Sequence, residues 1–231
     1  MLTKKFSFIV VLFFTSLYFP IAWCAENDEV RVDENELILD AEDFFESPQW
    51  FSLLFRGGEY VPNKATGVTG DFKTKYASQS GAWVEVSAEV QPITSWGILG
   101  VRATSGLNYI QATGANKSNF QVIPIHVGLA YHLKYFRHQL FVPFVEGGGS
   151  YYFINQTGQA SYSRTREGYY LSSGLQLNLN YIEKRVAERF DLNYGVNNTY
   201  LTAEYRYIST PNAGVLDLTG GFAMGGFMME F

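Results

Sequence analysis

The last nine residues, Ala223-Met224-Gly225-Gly226-Phe227-Met228-Met229-Glu230-Phe231, follow a simple alternation. Every second side chain from Ala223 to the terminal Phe231 is small or apolar. A period of two residues is that of a β-strand, whose successive side chains point to opposite faces. A strand with one face in lipid needs this alternation and must be paired along both edges. The stretch therefore predicts the final strand of a closed membrane barrel, with Phe231 as its insertion signal.

The same alternation recurs along the chain. Eight stretches of strand character, separated by turn-forming residues, cover residues 50–61, 82–91, 97–110, 121–135, 140–153, 168–181, 199–209 and 215–231. In the fourth stretch, Ile125, Val127 and Leu129 alternate with His126, Gly128 and Ala130, which gives one lipid face and one lumen face. A soluble barrel would need a polar outer face, whereas these outer positions are Leu, Val and Ile. The predicted fold class is all-β, an eight-stranded antiparallel transmembrane up-and-down barrel.

The lengths of the connections fit this topology, because outer-membrane barrels have short periplasmic turns and longer outer loops. The connections 62–81, 111–120, 154–167 and 210–214 are assigned to the outer side, and the short ones, 92–96 and 136–139, to the periplasm. The exception is 182–198, where the spacing of charged and apolar residues predicts a short periplasmic helical turn. An even number of strands places both termini in the periplasm.

Aromatic residues near strand ends fit the two interfacial belts of a membrane protein, since their rings are apolar and their edges polar. The candidates are Trp50, Tyr60, Trp96, Tyr109, Tyr135, Tyr151, Tyr169, Tyr181 and Tyr207.

The amino-terminal segment 1–24 has the features of a secretory signal peptide. Lys4 and Lys5 precede an apolar stretch that is shorter than the roughly 20 residues of a spanning helix. Removal after Cys24 is favoured over a retained anchor. The sequence before Cys24 is also similar to a lipoprotein box, although Trp23 occupies the place of a small residue, so lipidation of Cys24 stays open.

Residues 25–48 form an acidic leader ahead of the barrel domain, 49–231. Between Glu26 and Glu46 there are ten acidic residues against Arg31 alone, a net charge of −9, whereas the chain from Ser47 onward carries 12 acids and 14 bases, a net of +2. The leader is either a solvated, poorly ordered segment or a short amphipathic piece that docks on a partner or plugs the barrel mouth. No cluster of bases indicates nucleic-acid binding.

Three pieces of the chain carry a family resemblance: Pro143 to Gly149, which reads Pro-Phe-Val-Glu-Gly-Gly-Gly, Leu201 to Tyr207, and the terminal Phe231. From Trp50 onward the chain resembles the small eight-stranded outer-membrane barrels, which include the OmpW-like, OmpX-like and opacity-type proteins. The resemblance implies a Gram-negative outer membrane and, as partners, its lipids and lipopolysaccharide, periplasmic chaperones and the barrel-insertion machinery. It selects no subfamily, and members serve as conduits, adhesins, anchors or, rarely, lipid-modifying enzymes.

Any chemistry must come from ionisable side chains that the alternation turns inward. The predicted polar network of the lumen consists of Glu85, Glu89, Arg102, His126, Lys134, Glu146, Glu204 and Arg206. Eight strands enclose a lumen that side chains can just fill, and buried charges must pair. These residues therefore form either a salt-bridged plug of the interior or a polar pathway or ligand pocket.

We expect no enzymatic activity and no cofactor. A lipid A deacylase would need a His and a Ser on the outer face, whereas His126 and His132 point inward and His138 falls in a turn; no metal-ligand spacing is present. The leading function is a non-enzymatic barrel, either structural or a narrow conduit for small or hydrophobic compounds. The alternative is an adhesin acting through outer loops 62–81 and 154–167, and the third is a lipid A-modifying barrel.

Overall fold

The structure, a computed structural model, describes residues 50–60, 81–94, 97–111, 119–136, 139–157, 161–182, 184–211 and 217–231. The signal segment 1–24, the whole of the leader 25–48 and residues in each outer connection lie outside these ranges, so the expectations for them stay predictions.

Eight antiparallel strands close into a barrel in which each strand pairs with its neighbours in the chain and β1 pairs with β8. The strands are β1 Phe51–Tyr60, β2 Gly81–Ile93, β3 Ile98–Gln111, β4 Asn119–His132, β5 Phe141–Thr157, β6 Tyr162–Asn178, β7 Asn198–Ser209 and β8 Gly220–Glu230. This order confirms the predicted fold class. Among the described residues, no helix has the length and apolar content needed to cross a bilayer.

The one long connection at the terminal end of the barrel contains a 3-10 turn, Leu179–Tyr181, and helix α1, Lys184–Tyr194. The predicted helical turn within 182–198 is therefore confirmed. Gly195 ends the helix in the left-handed region, with φ of +66°. Its N–H bonds the carbonyl of Asp191 at 2.8 Å, which is the single bond of an αL helix cap.

Burial alternates along every strand as predicted. Outward residues such as Val127 and Leu129 are more than half exposed, whereas inward ones such as His126 and Ala130 are fully buried. Because the exposed side is Val, Leu and Ile, it suits hydrocarbon and not water. The barrel thus presents an apolar band to its surroundings and a filled interior.

The β5–β6 hairpin is longer than expected. Residues 154–167 were assigned to an outer loop, but the ladder continues to the pair Gln156 and Tyr162, so only the few residues between Thr157 and Tyr162 remain for the connection. A cross-strand bond from Ser163 Oγ to Asn155 Oδ1, 2.8 Å, supports this extension. The side chains here are polar because the hairpin extends beyond the apolar band, so the hydropathy pattern ended before the strands did.

Tyr60 was predicted to lie in an interfacial aromatic belt, and this prediction is wrong. Its side chain is 1% exposed and lies in the lumen, where the hydroxyl donates to the carbonyl of Leu218. The ring packs against Trp83 and Phe222, with centroids 5.1 and 4.9 Å away. Tyr60 has the parity of the inward residues of β1, and that parity decides its side.

Trp96 lies outside the described residues, and the other belt candidates are exposed: Trp50, Tyr109, Tyr135, Tyr151, Tyr169, Tyr181 and Tyr207.

The charged lumen as candidate functional site

Arg56 is the centre of the interior. It points inward from β1, and its Nη1 donates to Glu146 Oε2 at 2.9 Å and to Glu204 Oε2 at 3.1 Å. Its Nη2 donates to Ser87 Oγ at 2.7 Å and lies 3.4 Å from Glu85 Oε2. Arg56 therefore joins four strands of the barrel through one guanidinium.

Arg206 and Arg102 extend this cluster to either side. Arg206 Nη1 donates to Glu85 Oε2 at 2.6 Å, and its Nη2 donates to Glu204 Oε1 at 3.0 Å. Arg102 donates to Glu89 through Nε at 2.7 Å and also bonds Glu146 through Nη1. Each of the four carboxylates in the cluster is thus paired with at least one arginine.

Two histidines bond the same carboxylates. His126 Nε2 lies 3.2 Å from Glu85 Oε1, with its Nδ1 2.7 Å from Ser150 Oγ. His132 Nε2 lies 3.0 Å from Glu89 Oε1, with its Nδ1 3.0 Å from Gln176 Oε1. Both imidazoles are therefore held on both nitrogens, which fixes their orientation.

Tyrosine and tryptophan complete the bonding of the carboxylates. Tyr170 Oη donates to Glu146 Oε1 at 2.8 Å, and Trp83 Nε1 donates to Glu85 Oε1 at 2.7 Å. Buried charges are tolerated when they are paired and their remaining lone pairs are bonded. The charged side chains of this layer are at most 1% exposed, and its carboxylates are paired without solvent. Nε of Arg56 and Nε of Arg206 are buried in the same layer without a hydrogen-bond partner.

Glycines make room for these long side chains. A Cβ on Gly226 of β8 would lie 2.9 Å from Arg56 Cγ, and one on Gly106 of β3 would lie 2.7 Å from Glu85 Cγ. Both distances are shorter than ordinary van der Waals contact. The inward glycines therefore decide where the arginine and glutamate stems can lie.

Apolar layers enclose the charged layer on both sides. Toward the outer hairpins lies a buried cluster of twelve residues: Tyr60, Trp83, Ile110, Phe120, Val122, Tyr152, Ile154, Tyr170, Ile208, Leu218, Phe222 and Met224. Toward the termini lies a smaller cluster of Leu54, Val142, Tyr200 and Met228. On the outer side, ions or polar solutes would have to cross apolar contacts to reach the charges. On the terminal side the smaller cluster is accompanied by buried polar side chains, since Gln176 bonds His132 of the charged layer and contacts Met228 Sδ at 3.0 Å.

Seven of the eight sequence-predicted residues are brought together in this layer: Glu85, Glu89, Arg102, His126, Glu146, Glu204 and Arg206. Lys134 lies apart from them. It follows the end of β4, and its Nζ donates to Glu230 Oε2 at 3.0 Å, near the Tyr200 ring. This places Lys134 at the terminal mouth of the barrel.

Arg56 is the main residue that the predicted network omitted. Its position in β1, two residues from Leu54 and four from Ser52, has the inward parity, so the sequence allows a lumenal place for it. The sequence could not set the register between strands that brings Arg56 to Glu146 and Glu204. Tyr170 and Trp83 were missed because the predicted network was drawn from acidic, basic and histidine side chains and did not consider aromatic donors.

Glu85, His126 and Ser150 have the connectivity of a hydrolytic triad, with a hydroxyl and a carboxylate on the two imidazole nitrogens. These three side chains are enclosed within the lumen, however, and Ser150 is only 7% exposed. The rings of Tyr170 and Tyr152 cover His126, with centroids 4.8 and 5.7 Å away. The arrangement orders the side chains but leaves the Ser150 hydroxyl no open face for a substrate.

Within the described ranges, no three His, Cys, Asp or Glu side chains are grouped to hold a metal ion.

Comparisons with known proteins give structural matches alone. No family model matches the chain, and no curated protein sequence matches it. The surface protein NspA of Neisseria aligns with a TM-score of 0.53 and 15% identity, over 78% of this chain and 97% of NspA. OprG of Pseudomonas aeruginosa aligns with a TM-score of 0.49 and 12% identity, over 81% and 99%. Ail of Yersinia pestis, in complex with a heparin analogue, aligns with a TM-score of 0.46 and 13% identity, over 79% and 97%.

At these identities the likeness concerns the fold and not the activity. The closed order of eight strands, the outward apolar band and the inward polar residues agree with it. The chain has the fold of the small eight-stranded outer-membrane β-barrels, with no subfamily singled out.

Proposed function

We propose that this protein is a non-enzymatic, structural barrel of the outer membrane with a sealed lumen. The observation that carries the proposal is the contact of Arg56 with Glu146 and Glu204 inside a charged layer that is enclosed by apolar clusters. Its partners are the lipids and lipopolysaccharide around the apolar band. Periplasmic chaperones and the insertion machinery deliver the barrel by way of the terminal strand that ends at Phe231.

A narrow conduit is the weaker version of the same proposal. Opening a path would break buried ion pairs, and removing one partner of such a pair costs about 3–5 kcal/mol. A solute would also have to displace the aromatic cluster around Tyr60 and Trp83. A small hydrophobic compound would make no favourable contacts within the charged layer, so the buried ion pairs favour a closed lumen.

Conductance of the refolded protein in planar bilayers tests the sealed lumen. A heat-modifiability gel first confirms folding, and a porin added to the same bilayer provides the positive control. We expect no stepwise current from the wild type. Stepwise currents that change when Glu85, Arg102 and Glu146 are replaced by alanine would overturn the sealed barrel and establish the conduit.

A surface interaction protein is the second candidate, and the length of β6 favours it. The β6–β7 ladder begins with Tyr169 and Ser209, so the residues from Tyr162 to Gly168 extend past the last described pair with β7. Ser163, Arg164, Thr165 and Glu167 are exposed on this extension. A polar hairpin that stands above the apolar band is suited to contact other molecules.

Shortening this hairpin tests the second candidate. A variant that joins Phe153 to Thr165 through a two-residue Asn-Gly turn removes residues 154–164, including the buried Ile154, and keeps the β5–β6 pairs from Phe153 and Thr165 onward. If the hairpin is an adhesive element, cells that display the variant lose attachment to host or neighbouring cells. Unchanged attachment at equal surface display would contradict this function and leave the structural one standing.

A further inference from the structure

The segments before and after helix α1 meet at one point on the rim of the barrel, at the end that carries Trp50 and Phe231. Asn180 Nδ2 donates to the carbonyl of Asn197 at 2.7 Å, and Asn180 Oδ1 accepts from Thr199 N–H at 3.1 Å. Asn197 N–H also bonds the carbonyl of Glu230, the last residue of β8, at 2.8 Å. Three residues reach at most about 10 Å, so Tyr194 stays that close to Asn197.

The end of the helix carries exposed apolar side chains. Phe190 is 47% exposed and Tyr194 is 71% exposed. Residues four apart lie on the same face of a helix, and the two rings are in contact, with centroids 5.7 Å apart. They form an aromatic stripe next to the rim, which we call the helix stripe.

Exposed apolar residues lead from the lipid face of the barrel to the start of helix α1. The outward residues of β6, Leu171 and Leu175, are exposed in the apolar band, and Tyr181 and Ile182 continue the exposed apolar surface to the start of the helix with 53% and 65% exposure. The helix sequence has three bases, Lys184, Arg185 and Arg189, against Glu188 and Asp191, a net charge of +1. Aromatic residues with nearby bases are typical of helices that lie in the headgroup layer of an anionic membrane.

We propose that α1 is an interfacial anchor whose helix stripe rests in the phospholipid leaflet at the terminal end of the barrel. This inference rests on the proposed location of the barrel in a membrane. The occupant is phospholipid because the termini are predicted to lie in the periplasm, where the leaflet is phospholipid and not lipopolysaccharide. The anchor would hold the barrel at a defined depth through Phe190 and Tyr194.

Site-directed spin labelling of the full chain tests the anchor. The sole cysteine, Cys24, is replaced by serine, and single cysteines are introduced as Phe190→Cys, Tyr194→Cys and Leu192→Cys. Leu192 is 69% exposed and lies on the opposite side of the helix from Phe190, so it is the matched control. The protein is refolded into vesicles of phosphatidylethanolamine and phosphatidylglycerol, and label collisions with oxygen and with a water-soluble nickel chelate are measured.

We expect labels at positions 190 and 194 to collide several-fold more with oxygen relative to nickel than the label at 192. Equal collision ratios at the three positions would overturn the anchor. Low collision with both reagents at 190 and 194 would mean that protein covers the stripe, which also overturns it. A fourth label, Val127→Cys in the apolar band, separates the two proposals. If the label at 127 collides mainly with oxygen while the helix labels collide mainly with nickel, the barrel is in the bilayer and only the anchor is wrong. If the label at 127 also collides mainly with nickel, the membrane location is wrong as well.

Discussion

Arg56 on β1 and Glu146 on β5 lie on opposite walls of the eight-stranded barrel, 90 residues apart in the chain, and their side chains meet at 2.9 Å. The contact crosses the full width of the lumen. The other oxygen of Glu146 accepts from Tyr170, and the other terminal nitrogen of Arg56 donates to Ser87. The interior is therefore held by bonds between walls as well as by the ladder around them.

Loss of Arg56 should destabilise the barrel strongly. Arg56→Met keeps an unbranched apolar stem but leaves Glu146 and Glu204 short of a buried partner, with an expected loss of about 3–5 kcal/mol in the free energy of unfolding. Urea unfolding of the protein in vesicles, followed by tryptophan fluorescence, measures it. Arg164→Met is the control, because Arg164 is exposed on the outer hairpin and its loss should change little. An unchanged midpoint for Arg56→Met would show that the central contact contributes nothing to stability.

The hydroxyl of Tyr170 should contribute measurably to stability. Tyr170→Phe removes one donor to the buried carboxylate of Glu146, and a hydrogen bond to a charged group contributes about 1.5–3 kcal/mol. The neighbouring Tyr169 is 53% exposed on the outer face, so Tyr169→Phe should have little effect and provides the control. The same unfolding measurement compares the two. Equal losses of stability in the two variants would contradict a stabilising hydrogen bond from the Tyr170 hydroxyl to Glu146.

Adjacent glycines of β8 should differ sharply in their tolerance of a methyl group. Gly226→Ala places Cβ against the carbonyl of Phe55 and 2.9 Å from Arg56 Cγ, and such overpacking costs about 1–3 kcal/mol. In Gly225→Ala the Cβ points outward, with its nearest atom 3.7 Å away, so stability should hold. Heat-modifiability on gels and unfolding midpoints provide the comparison. A Gly226→Ala variant as stable as Gly225→Ala would show that the backbone of β1 at Phe55 and the stem of Arg56 can both shift.

A charge on the outer face should be costly at the middle of the apolar band and harmless beyond it. Val127→Arg on β4 should cost about 2–4 kcal/mol of folding free energy in a bilayer, and Thr157→Arg at the outer end of β5 about 0–1 kcal/mol. Folding yields in vesicles against urea measure both. If Val127→Arg folds as well as Thr157→Arg, position 127 does not face hydrocarbon.

Local pattern was enough to locate most of the strands. The alternation of β4 set its inward and outward faces from Ile123 to Tyr131, and the structure agrees at each position. The end of the β5–β6 hairpin was assigned to a loop because residues 155–157 and 163–167 are polar, and no lipid demands apolar residues there. Parity alone would have turned Tyr60 inward, but its place at a strand end suggested the membrane interface.

The sequence by itself determined the all-β class, the count of eight strands and the inward or outward side of most strand residues, because a period of two residues is a local property of the strand. It could not determine which of those side chains meet. The contacts of Arg56 with Glu146 and Glu204 depend on the stagger between strands and on the closure of β1 against β8, which bring residues 90 and 148 positions apart within hydrogen-bonding distance. Pairing across the lumen is a property of the closed barrel, and only the tertiary structure decided it.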